Sequence, residues 1–178
     1  MTRAELENIL SERFEGGCAD HWGKLILDRE LFDPVMDLAV QSARGIVPFR
    51  AAYALERAFL AAPERFEPYH GRFIHDYCTA THPSTWRHFG KIMALLLKRK
   101  KLTLSDEQLN RIAETAVLRL VDPSIAVGVR VWSLDILFYL KEKVDWIENE
   151  WPEIIGQLKI DPSPGMISRL RRFGWMGR

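Results

Sequence analysis

Four arginines, Arg50, Arg87, Arg130 and Arg169, recur every ~40 residues, a spacing found in helical repeats. Three of them follow a large apolar residue: Phe49, Trp86 and Val129. A guanidinium offers a planar fork of N–H donors that matches carboxylates and phosphates. A row of such forks suits anion capture in a groove. It equally suits bonds to carbonyls or acids of a neighbouring repeat. Two acids, Glu56 and Asp135, lie within apolar stretches. Burial raises the pKa of a carboxyl and makes it a candidate general acid or base. The competing role for such an acid is pairing with a nearby arginine. Trp86 and Trp132 add flat apolar faces beside Arg87 and Asp135.

His70, His75, Cys78, His82 and His88 crowd one region, and His75 and Cys78 have the spacing to share a helix face. Zinc needs three or four converging ligands. Neither an HExxH nor a CxxC pair is present, so no metal and no cofactor is expected. There is no Gly-rich phosphate loop and no nucleophile elbow. Serines such as Ser133 are expected to pack or to bond backbone.

The elements that must position these residues read as helices throughout. Thr2 and Glu5 form a capping box for a first helix striped by Leu6, Ile9 and Leu10, extended by Phe14 and stopped at Gly16-Gly17. A second helix covers about Ala19–Leu27. Asp33 is the expected cap of a third, with Pro34 at its first position. Its partner runs from about Val47 to Ala61, with Ala51, Ala54, Leu55, Ala58 and Phe59 on one stripe. Further helices are expected over Arg65–Thr79, Thr85–Lys98 with Ser84 as cap, Ser105 onward with Gln108 in a second capping box, and Ile125–Lys143. The last of these is apolar nearly all round, as a helix buried on both sides would be. Val144–Leu158 follows, with Pro152 expected to kink or divide it. A basic helix over Met166–Phe173 closes the array, and Trp175 is a residue that can dock beyond it. No stretch alternates as a strand does. Proline falls at the helix junctions, which predicts an all-α array of helical hairpins.

The 178 residues suit one domain with a substantial core. A net charge of +1 gives no whole-molecule case for nucleic acid or acidic membranes. Two cysteines are too few for a disulfide framework. The longest apolar run, Met93–Leu97, is far short of a membrane span, and the N-terminus has no apolar signal core. A cytoplasmic protein with no membrane association is expected.

The alternation of an outer helix, a turn with Pro or Asp, and an inner helix opening on an apolar residue and Arg resembles HEAT repeats over about residues 31–178. Phe49-Arg50, Trp86-Arg87, Val129-Arg130 and Asp122-Pro123 carry the resemblance. It implies a right-handed α-α superhelix of about four to five antiparallel helix pairs, with residues 1–30 as N-terminal cap helices of a single repeat domain. HEAT repeats are best known as protein-binding scaffolds. The resemblance therefore implies a non-enzymatic module with a protein partner held in a groove, Arg50, Arg87, Arg130, Arg169, Trp86 and Trp132 being the lining candidates. The alternative is a DNA-binding protein resembling the HEAT-like glycosylases for alkylated bases, with Asp135 or Glu56 as acid or base. Nucleic acid is the less favoured partner because the charge is near neutral. Self-association is also open, since the acidic stretch Glu142–Glu153 complements two basic groups, Lys91 with Lys98–Lys101 and Arg169 with Arg171 and Arg172.

Overall fold

The computed structural model describes residues 1–12 and 17–176. Among them every regular element is helical: ten α-helices and one 3-10 segment, with no strand. The chain divides into two compact units, Met1–Ile92 and Met93–Arg178. No helix of the described residues is long and apolar enough to cross a membrane.

In the first unit, α1 (Arg3–Ser11) opens on the expected reciprocal cap. The Glu5 amide donates to the Thr2 hydroxyl at 3.2 Å and the Thr2 amide to the Glu5 carboxylate at 2.7 Å. The helix ends at Ser11, earlier than the glycine pair; Phe14 and Gly16 lie outside the described residues. It is followed by α2 (Cys18–Arg29), α3 (Phe32–Gln41) and α4 (Val47–Ala61). Asp33 does not cap α3, which starts one residue before it without a side-chain cap. Its carboxylate instead meets Arg72 at 3.2 Å. The single helix expected over Arg65–Thr79 is two elements, a 3-10 segment (Pro63–Tyr69) and α5 (His70–Thr79). Pro68 is the reason: it has no N–H for an α-helical bond and clashes with the preceding turn. The next helix, α6 (Pro83–Lys98), begins on Pro83 itself, where a missing N–H costs nothing.

The core of this unit is aromatic. Phe32, Phe59, Phe66, Phe73 and Phe89 are fully buried; Phe66 meets Phe32, Phe59 and Phe73, and Phe73 meets Phe89, with ring centroids 5.1–5.7 Å apart. Each such burial stabilises by roughly 1.5–3 kcal/mol relative to exposure. The alanine stripe of α4 is buried too, and it lets α2 and α3 approach closely. Closest is Gly23, where an added Cβ would stand 2.8 Å from the Arg57 Cβ.

In the second unit, α7 (Asp106–Val121) is capped by Ser105 and Gln108 as expected. It packs on α8 (Val127–Leu140), whose buried residues are Val129, Ser133, Leu134, Asp135, Ile136, Leu137 and Leu140. Next, α9 (Asp145–Leu158) runs unbroken through Pro152. Burial of Ile147, Ile155 and Leu158 on either side of the proline holds the helix on the core. Last comes α10 (Pro164–Arg172), capped by the Ser163 hydroxyl. Trp175 docks beyond it against Phe138, Trp151 and Phe173.

Polar side chains tie elements that lie 32 to 40 residues apart, each bond lying inside a single unit. Ser42 donates to Glu7, Arg44 to Asn8, Arg57 to Asp20 and Arg65 to Glu30. Arg72 donates to Asp33 and Asp37, Lys91 to Glu56, and Trp146 to Asn110. In each of these bonds the donor stands on the later element and the acceptor on the earlier one.

Candidate functional site

The two acids singled out in the sequence sit in different units and in opposite electrostatic states. Glu56 lies on α4 and is buried. Its Oε2 meets His88 Nδ1 at 2.7 Å, and its Oε1 accepts from Lys91 Nζ at 2.6 Å. Burial pushes this carboxyl up, but the hydrogen bonds from His88 and Lys91 outweigh it and leave the group below the usual carboxylate range. An ionised Glu56 makes His88 Nδ1 the donor. The imidazole is clamped by Tyr53, stacked at 5.0 Å, and Phe49 at 5.4 Å. Its Nε2 is buried and has no hydrogen-bond partner among the described residues.

Asp135 lies on α8 and is 2% exposed. Arg169 Nε, on α10, stands 3.1 Å from its Oδ1. That oxygen nevertheless accepts no hydrogen bond from the described residues, so the N–H is not aimed at it. Burial raises the Asp135 carboxyl to about 6, against the lowering charges of Arg169, Arg172 and Lys98. Trp132 does not stand open beside this acid: the Arg169 guanidinium lies over its ring, 4.8 Å from the centroid. The contact is made possible by Gly165, whose missing side chain lets α10 approach Val127 of α8.

The arginine series divides. Arg50 is buried and donates to the Leu10 and Glu12 carbonyls at the end of α1. Arg130 Nε donates to the Leu120 carbonyl near the end of α7, at 2.9 Å. Both satisfy carbonyls that a helix terminus leaves unpaired. Arg169 is engaged by Asp135 and Trp132. Arg87 is exposed on α6 and makes no hydrogen bond or ion pair among the described residues. Trp86, half-buried, donates its indole N–H to the Ala80 carbonyl.

The histidine–cysteine cluster does not converge: no group of three or more metal-ligating side chains occurs among the described residues. His88 belongs with Glu56 instead. The signal for that pairing was present as an acid within an apolar stretch followed 32 residues later by a base.

The second unit also holds an open groove of 310 Å³, where the ends of α7 and α9 meet the start of α8. Leu120, Val121, Ile154 and Leu158 make its apolar floor, and Glu150 and Glu153 its rim. Arg130 and Gln157 complete the lining. Sequence reading grouped Glu150 and Glu153 with an acidic stretch and did not bring them to the end of α7. That juxtaposition depends on how α7 and α9 align, which Trp146 Nε1 donating to Asn110 at 2.9 Å fixes at the other end.

Comparison with protein-family models, with curated proteins and with solved structures finds no match for this chain.

Proposed function

We propose that this chain is a non-enzymatic binding module, a HEAT-like stack of antiparallel helix pairs that takes a protein partner. Of the consecutive helices, α3–α4 in the first unit and α7–α8 in the second pack as such pairs. The observation that carries the reading is the one-directional ladder of polar bonds. It recurs at close to the period of about 40 residues that HEAT-type repeats have. It also engages the side chains that could otherwise do chemistry: Glu56, His88, Asp135, Arg50 and Arg169 all bond or pair with a neighbouring helix. Arg87 is the member of the arginine series left exposed for a partner.

The DNA reading needs Asp135 open to a substrate beside an uncovered aromatic face. Asp135 is 2% exposed and Arg169 covers Trp132, which supports the binding module over base excision. Titration of the chain with labelled duplex DNA at two salt concentrations tests the choice. No salt-sensitive binding is expected. An affinity that falls steeply with salt would transfer the protein to the nucleic-acid class.

A further inference from the structure

Each outer helix of the first unit meets its predecessor through cationic or hydroxyl donors: Ser42 and Arg44 at the end of α3, Arg65 and Arg72 on the 3-10 segment and α5. The α7–α9 junction breaks this rule. Trp146 donates to Asn110 at one end of it. At the other end α9 turns two carboxylates, Glu150 and Glu153, toward the end of α7, and the groove opens there. Over its whole length α9 carries Asp145, Glu148, Glu150 and Glu153 and no Lys or Arg. None of the four acids forms an ion pair among the described residues. Asp145 and Glu148 lie in the first turn, where they complement the helix dipole. Glu150 and Glu153 lie beyond it and have no such role. Places where a chain departs from its own local rule are where function concentrates.

The groove is apolar at its floor and acidic at its rim. On the α7 side, Val121 is 52% exposed. A volume of 310 Å³ lies at the small end of ligand pockets, which span about 300–1,000 Å³. It has room for one or two side chains, not for a large cofactor. Arg130 at the groove opposes the carboxylates, but its Nε is already given to the Leu120 carbonyl, and two acids face one guanidinium.

We propose that this groove docks a basic amphipathic segment of a partner protein. An apolar side chain of the segment packs on Leu120, Val121, Ile154 and Leu158. An arginine or lysine beside it pairs with Glu150 and Glu153, supplying the cation that the earlier outer junctions receive from within the chain. The mode is helix-in-groove recognition with the charge rim setting orientation. The inference rests on the binding-module reading and adds to it the place and the chemistry of the partner.

The test uses the full chain and two labelled synthetic peptides of identical leucine spacing, one with arginine and one with glutamate at the polar positions. Fluorescence anisotropy is expected to show binding of the arginine peptide only. Glu150→Lys with Glu153→Lys should weaken it at least tenfold and admit the glutamate peptide. Glu107→Lys with Glu114→Lys, an equal charge change on α7 away from the groove, should weaken it far less. Equal weakening by both variant pairs, or equal affinity for both peptides, would overturn the proposal. If the wild-type chain takes the glutamate peptide alone, the charge assignment fails while the binding module stands. Failure of both peptides removes the groove as a docking site. A concentration-dependent dimer that the groove variant abolishes would assign the groove to a second copy and likewise overturn the partner proposed here.

Discussion

Arg169 Nε stands 3.1 Å from Asp135 Oδ1, yet that oxygen accepts no hydrogen bond from the described residues. The pair is held by charge without the directional bond that ordinarily repays desolvation. Glu56 is the contrast: both of its oxygens are met by donors, from His88 and Lys91. Two buried acids thus have pKa values displaced in opposite directions, and the count of hydrogen bonds decides which way.

The first consequence is a pH dependence at Asp135. Its folded-state pKa is about 6, above the ordinary 3.8, so the folded chain holds this proton more tightly than the unfolded chain does. Its contribution therefore favours folding most at low pH and is lost as pH rises through about 6. Asp135→Asn removes the titration. Relative to wild type, the variant's urea midpoint is expected to rise between about pH 4 and about pH 7.5. A constant difference across that window would refute the assignment.

Glu56 runs the other way. Its folded pKa is depressed, so its stabilisation is present above the ordinary value of 4.5 and disappears as pH falls through the lower folded one. Glu56→Gln should lose this acid-side dependence. A double-mutant cycle with His88→Leu is expected to give a coupling of about 0.5–3 kcal/mol near pH 7. The cycle with Lys91→Met should give less, since Lys91 is 28% exposed and its charge is screened.

Arginines that look alike in sequence are expected to differ in stability. Arg50→Met leaves the Leu10 and Glu12 carbonyls without their donor and should cost about 1–3 kcal/mol. Arg87→Glu alters only an exposed side chain and should stay within about 0.5 kcal/mol of wild type. Chemical unfolding of the two variants side by side distinguishes them.

Close helix approach supplies a steric prediction. Gly23→Val places a Cβ 2.8 Å from the Arg57 Cβ, with Arg57 and Ala58 backbone atoms also within 3.2 Å. The α2–α4 contact must open, at a cost of about 1–3 kcal/mol from overpacking. Gly45→Ala meets nothing within 4 Å and serves as the control; no loss of thermal stability is expected there.

The helices, their caps and their apolar stripes were legible without coordinates. Thr2–Glu5 and Ser105–Gln108 are local motifs whose chemistry closes within four residues, and Ala51, Ala54, Leu55, Ala58 and Phe59 share a face by periodicity alone. Where the local reading failed, a long-range partner or a backbone constraint had intervened. Asp33 answers to Arg72 rather than to its own helix terminus, and Pro68 imposes a 3-10 segment on a stretch with helical patterning.

The pairing of polar side chains belonged to the tertiary structure. Sequence marked Glu56, His88 and Lys91 in three separate contexts: a buried acid, a member of a histidine cluster and part of a basic patch. Folding made them one network because α4 and α6 lie side by side. The same holds for Asp135, Arg169 and Trp132, and for the carboxylates of α9 that meet the end of α7. Periodicity states which face of a helix is apolar, since that depends on the helix alone. Which residue opposes which across two helices depends on their axial alignment, a property of the packed core that no single segment encodes.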